Sequence, residues 1–252
     1  MLTADEARRA ATRDWGRVLD ALGSLDAAGW ARPTRCTGWT LIDLARHGAW
    51  GTSMEADALR RARTGEPGTA EGTEPAGGPD EVLAALRRSV ADLGAELDHA
   101  PDLPGDAVVT LPFGPLPAAF ALHVFAMEAG VHADDVADAL ARDEPLADDV
   151  VDATGTVLAA VLPVLAAASG EAPPADTVVL LSGPTTGLRF AHGVGDAGGW
   201  AVVGEEVPPT ATVVGADDSA VLRFALGRTG ADDPRLTVPD AAAAFKAWFP
   251  GP

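Results

Sequence analysis

Over the first 140 residues, apolar side chains recur at helical spacing in four long runs, and a helical bundle is the arrangement that buries all four stripes. The first run extends from Ala4 to about Leu25, with Trp15, Val18, Leu19 and Leu22 on one stripe, and ends near Gly29. The turn Pro33-Thr34-Arg35-Cys36-Thr37-Gly38-Trp39-Thr40 follows, and its Thr40 is placed to cap a second helix from Leu41 to about Arg63. Asp80 caps a third helix to about Leu97. After an extended segment from Val108 to Gly114, a fourth begins near Leu116 and runs past Leu140. Between Gly65 and Pro79, a run of Gly, Pro, Thr and Glu has too little apolar content to fold on itself; it is expected to be a mobile surface loop at the mouth of any site in the bundle.

A fifth helix, about Asp148 to Ala168, leads through Pro173 and Pro174 into a different texture. Thr177–Leu181, Leu188–His192, Trp200–Val203 and Thr210–Val214 read as short strands, Asp217 to Leu226 as a helix, Arg235 to Val238 as a strand and Asp240 to Trp248 as a terminal helix. Strands in series with helices at one end give a small α+β domain. The fold class expected is therefore α plus α+β: a bundle domain at 1–145, a connecting helix at 146–172 and a small α+β domain at 173–252. The stretch from Ala153 to Gly170 is uncharged, but it contains Pro163 and is flanked by Asp148, Asp149, Asp152 and Glu171 rather than by anchoring cations, so it reads as a buried helix. Gly193, Gly195, Gly198 and Gly199 lack phosphate-loop context and read as a hairpin.

With 37 acidic against 18 basic side chains, a formal charge of -19, the chain is repelled by phosphate backbones and anionic membranes, so neither nucleic acid nor membrane is an expected partner. The lone Cys36 excludes an internal disulfide framework, and the N-terminus lacks a basic leader or apolar run. A cytoplasmic monomer or small homo-oligomer is the expectation.

Glu128 and His132 are spaced i, i+4, so both emerge on one face of the fourth helix. Val124, Phe125, Val131 and Val136 surround them, which turns that face inward, where a carboxylate and an imidazole need a partner. His47 offers one, because Leu44, Trp50 and Met54 place it on the apolar stripe of the second helix. Two His and one Glu form a catalytic zinc set with the fourth position open for water, a thiol or a substrate oxygen. Asp135 is spaced to hold the second ring nitrogen of His132, while Asp43 is spaced either to do the same for His47 or to stand as a solvated helix charge. His123, His99 and His192 are expected to be structural or surface residues. Cys36 would lie about 16 Å from His47 on a continuous helix and reads as an inert small apolar residue. Arg228 reads on residues alone as a cation at a helix C-terminus.

Taken together, Pro33-Thr34-x-Cys36-x-Gly38-Trp39-Thr40, Asp43-Leu44-x-x-His47, Pro112-Phe113-Gly114 and Glu128-x-x-Val131-His132-x-x-Asp135 resemble the mycothiol-dependent maleylpyruvate isomerase family of the DinB-like superfamily. Ala211-Thr212-Val213-Val214-Gly215, the helix ending in Gly227-Arg228, and Leu236-Thr237-Val238 are similar to its sterol-carrier-like C-terminal domain. The resemblance implies that His47, Glu128 and His132 ligate Zn2+ or another divalent metal, that Arg228 and Asp135 are catalytic, and that mycothiol is the thiol cofactor or cosubstrate. It further implies that the activated thiol adds to an unsaturated or electrophilic small molecule, giving cis–trans isomerisation or S-transfer. The alternatives are a bundle metalloenzyme acting without thiol and a non-catalytic small-molecule binding protein.

Overall fold

The computed structural model describes residues 2–169, 173–193 and 199–249, which divide into two compact units, 1–153 and 154–252. The first is built on four long helices. Helix α1, Ala4–Gly23, opens on a reciprocal cap between Thr3 and Glu6 and buries Ala7, Ala11, Trp15, Val18 and Leu22 on one stripe. It stops at Ser24, and a separate short helix α2, Ala27–Trp30, is capped by Asp26. The next turn reverses through a bridge between Pro33 and Thr40, with Gly38 in the left-handed region at φ 81. Helix α3, Leu41–Thr64, starts there and ends at Gly65. Helix α4, Pro79–Asp98, has Pro79 in its first turn, so the cap is Gly78 and Asp80 lies one residue inside, where its charge opposes the helix dipole favourably.

The extended segment is half of a hairpin: β1, Val108–Leu111, pairs antiparallel with β2, Gly114–Pro117. The second strand uses residues expected to begin a helix; Pro115 and Pro117 favour extended backbone, and helix α5 starts only at Ala118, running to Ala139. Helix α5 is buried almost all round, from Ala121 through Ala137, as befits the central member of the bundle. It packs on α1 and α3, and α3 packs on α4. The 65–78 segment contains no helix or strand, yet it is pinned: Ala70 is buried and donates to the Thr110 carbonyl, and Thr73 donates to Ser53 Oγ.

Helix α6, Asp148–Ser169, contributes its first turns to the first unit, where Val150 meets Gly130 so closely that a Cβ there would clash. By length and composition alone α6 passes as a membrane span, but Val150, Ala153, Val157, Leu158, Leu162 and Ala166 are buried at helical spacing.

The second unit carries a five-stranded sheet in the order β5-β4-β3-β6-β7, formed by Trp200–Val202, Gly187–His192, Val178–Ser182, Ala211–Gly215 and Leu236–Thr237. All pairs are antiparallel except β3 with β6, where Val179 stands opposite Ala211. Helix α7, Asp218–Ala225, capped by Asp217, follows β6. The expected terminal helix is broken into a 3-10 turn, Asp240–Ala242, and helix α8, Phe245–Trp248; Phe190, Phe224, Phe245, Phe249, Trp200 and Trp248 form the aromatic core that pulls these short pieces in. Together the units make an α plus α+β architecture. The connection between β4 and β5, residues 194–198, lies outside the described residues.

Candidate metal centre

Helix α5 sets Glu128 and His132 one turn apart on a face that looks toward α3. His132 is buried, with its side chain 4% exposed, while Glu128 keeps 35% exposure, so one donor is locked in the core and the other reaches the opening. From α3, His47 is half-buried between Trp39 and Trp50, at ring-centroid distances of 4.9 and 5.6 Å, and it meets His132 edge-on at 5.1 Å. One ligand atom from each of His47, Glu128 and His132 lies within 4.8 Å of the other two. The structure thus brings together the three residues singled out from spacing.

The orientation of His132 is set from behind. Its Nδ1 lies 3.3 Å from Asp135 Oδ2, and Asp135 is fully buried. A carboxylate on Nδ1 directs Nε2 forward, toward Glu128 Oε2 at 3.3 Å. That Nε2 is buried without a hydrogen bond of acceptable geometry among the described residues, a configuration that a cation would satisfy. Two imidazoles and a carboxylate form a borderline-to-hard donor set suited to zinc. Without a cation, burial depresses the His132 pKa but the contacts with Asp135 and then Glu128 outweigh it, holding the imidazolium up to about 9.

Glu55 is the residue that sequence reasoning missed. It is 3% exposed, and its Oε2 has no hydrogen-bond partner among the described residues. Burial first, then the nearby Glu128 charge, push its carboxyl well above the usual range, with His132 acting in the opposite sense. The available signal was its spacing: Glu55 follows His47 by eight residues, two turns along the same face.

A cavity of about 440 Å³ opens beside His47, walled by Gly38, Trp39, Asp43, Trp50 and Glu74. The 65–78 segment forms one side, and Gly72 lies so close to Trp50 that a Cβ would come within 2.5 Å of the Trp50 carbonyl oxygen. Of the two readings of Asp43, support for His47 is not the one the structure shows. Its Oδ2 accepts from Thr40 N and Oγ1 and its Oδ1 from Arg46, because a helix N-terminus offers unsatisfied donors closer at hand. Arg46 also donates to the Gly77 carbonyl.

Cys36 is not remote. The chain reverses before α3 begins, which carries Cys36 Sγ to 3.4 Å from Asp135 Oδ2, and Cys36, His132 and Asp135 form a second buried group of donors within 4.8 Å of one another. His123 bonds the Ala119 carbonyl through Nδ1, His99 ends α4, and His192, in the second unit, packs on Trp200. Arg228 belongs to the second unit, just after Gly227 at the end of α7.

Comparison with known proteins adds an independent line. The family model described as the mycothiol maleylpyruvate isomerase N-terminal domain matches residues 9–137. No curated protein matches the sequence significantly. Among solved structures, the mycothiol-dependent maleylpyruvate isomerase shares 18% identity over 94% of this chain and 92% of its own, with a TM-score of 0.66. A histidine-to-alanine mutant of that enzyme gives 18% identity, 90% coverage of both chains and a TM-score of 0.67. At that identity the likeness establishes a common fold.

Proposed function

Because the chain belongs to the mycothiol maleylpyruvate isomerase family, we propose that it is a zinc-dependent enzyme that activates a low-molecular-weight thiol, mycothiol, for addition to an unsaturated or electrophilic small molecule. The observation that supports this reading is the convergence of His47, Glu128 and His132 donor atoms within 4.8 Å at the edge of a cavity. Those three residues would hold the ion, and zinc supplies there a Lewis acid that lowers a thiol's pKa until thiolate exists near neutral pH.

The chain's own residues prepare that chemistry. Asp135 holds the Nδ1 hydrogen of His132 and leaves Nε2 as the donor. Trp39 and Trp50 bracket His47 and fix its ring at the cavity's edge. Thiolate addition to a double bond conjugated with a carbonyl forms a sulfur–carbon bond and moves the π pair onto the carbonyl oxygen. Rotation about the former carbon–carbon double bond, now single, and return of that pair expel the thiolate and leave the trans alkene. Where the substrate instead bears a leaving group, that group departs with its electron pair, the sulfur–carbon bond remains, and the outcome is S-transfer. Asp43 and Glu74 put negative charge on the cavity wall, which favours an electrophile without two carboxylates.

In this proposal the bundle, 1–145, carries the metal chemistry, 146–172 is the connector and 173–252 the small α+β domain. Arg228 enters as a catalytic cation on the resemblance alone. A reducing cytoplasm suits a thiol-using protein with a single cysteine. Elemental analysis should find about one zinc per chain, lost in His132→Ala, and the zinc-loaded protein should turn over mycothiol with a conjugated electrophile. Wild-type protein that takes up no zinc, or turnover indifferent to chelator, would overturn the proposal.

A further inference from the structure

The turn carrying Cys36 is clamped onto α5 more firmly than an inert apolar residue requires. Arg35 bonds Asp134 at 2.8 Å and Asp138 at 2.7 Å, one turn apart on α5, while Cys36 between them reaches Asp135. The turn itself is held by the Pro33–Thr40 bridge, by Trp39 N donating to the Cys36 carbonyl at 2.9 Å, and by Cys36 N donating to Thr34 Oγ1 at 3.2 Å. Cys36, Asp135 and His132 are all buried. A single carboxylate oxygen, Asp135 Oδ2, therefore accepts from the Cys36 thiol at 3.4 Å and faces His132 Nδ1 at 3.3 Å.

We propose that Cys36 is a positioning residue of the metal centre: its S–H fixes the Asp135 carboxylate, which fixes the His132 Nδ1 hydrogen and so aims Nε2 at the point shared with His47 and Glu128. A carboxylate free to rotate about its last bond would let the imidazole swing; a second donor on the same oxygen removes that freedom. The thiol is a weak donor, so its contribution is one of aim. The inference rests on the metal-centre reading above, but its first link, from Cys36 through Asp135 to His132, is independent of any ion.

The test uses the full chain as wild type, Cys36→Ala and Cys36→Ser. In metal-free protein labelled with ¹⁵N-histidine, the Nδ1–H resonance of His132 should be protected from solvent exchange in wild type, exchange rapidly in Cys36→Ala, and regain protection in Cys36→Ser, whose hydroxyl restores a donor. Zinc affinity should fall roughly two- to fivefold in Cys36→Ala, the worth of one weak sulfur hydrogen bond, and recover in Cys36→Ser. Cadmium should show no thiolate-to-metal charge-transfer band in wild type. Unchanged Nδ1–H protection in Cys36→Ala overturns the inference, as does an equal loss in both variants that tracks a drop in unfolding midpoint, which marks packing alone. A Cys36-dependent cadmium band or a second metal equivalent also overturns it, by making Cys36 a ligand. If wild type binds no zinc, the functional reading fails, while the Nδ1–H comparison still decides the role of Cys36.

Discussion

Raising the pH of the metal-free protein should weaken it, and His132 sets the scale. This imidazole is 3% exposed, with Asp135 Oδ2 3.3 Å from Nδ1 and Glu128 Oε2 3.3 Å from Nε2. Burial opposes the charged form, but the two carboxylates prevail and raise the pKa from 6.5 to about 9. The folded chain thus holds this proton more tightly than the unfolded chain. The associated stability is present in full below pH 6.5 and is lost as pH climbs through 9. At about 1.36 kcal/mol per pKa unit, the whole effect is roughly 3 kcal/mol, a large share of the ~5–15 kcal/mol by which domains are stable. Glu55, whose pKa is also raised, acts in the same sense, so Glu55→Gln is the background that isolates His132. Denaturation midpoints in chelator between pH 6 and 10, read by tryptophan fluorescence, report mainly on the first unit, which holds Trp15, Trp30, Trp39 and Trp50. Zinc should invert the trend, because it competes with the proton on Nε2: affinity should rise toward pH 9, with about one proton released per ion. A midpoint flat from pH 6.5 to 9.5 in the Glu55→Gln background, together with pH-independent zinc affinity, would refute the claim that His132 is held as an imidazolium between two carboxylates.

Asp135→Asn should weaken zinc binding by about 10- to 100-fold, as removal of a partner behind a metal-bound imidazole generally does; competition with a chromogenic chelator measures it, and unchanged affinity would mean that Asp135 does not set the tautomer. Glu55→Gln, an isosteric replacement for a carboxyl whose pKa burial raises, should alter the pH 6 denaturation midpoint by less than about 1 kcal/mol while reducing the alkaline loss; a larger effect at pH 6 would show that the carboxylate form is needed for folding. Gly72→Ala should displace the 65–78 segment from Trp50, costing about 1–3 kcal/mol as an overpacked contact and raising KM for whatever occupies the cavity, while zinc stoichiometry stays the same. A wild-type midpoint in Gly72→Ala would show that the segment already stands away from Trp50.

The helices were legible because each has an apolar stripe that only a 3.6-residue period satisfies, and α3, α5 and α6 fall within a few residues of their expected bounds. Misplacements occur where local sequence is ambiguous. Residues 114–117 form a strand because Pro115 and Pro117 resist helix and because Leu116 pairs with Val109 across a hairpin, a contact that no periodicity records. The C-terminal helix is split because Phe245, Trp248 and Phe249 are drawn into the aromatic core of their unit, against the weak preference of a short alanine-rich run.

For the site, one-turn spacing by itself placed Glu128 beside His132, since residues four apart on a helix must share a face. Apolar neighbours indicated that His47 turns inward as well. What sequence could not supply was distance between elements. Asp43 satisfied the spacing rule for supporting His47, yet it was claimed by the donors of its own helix start. Cys36 was judged by its separation along the chain, whereas the reversal at Pro33–Thr40 returned it to Asp135, 99 residues away. Glu55 looked like one more charge on a long helix until the packing of α3 against α5 buried it beside Glu128. Sequence alone determined the helices, the i, i+4 donor pair and the inward face of His47, because these follow from periodicity within a single element. Only the tertiary structure decided that Cys36 meets Asp135 and that Glu55 is stripped of water beside Glu128, because each of these depends on two elements meeting in space.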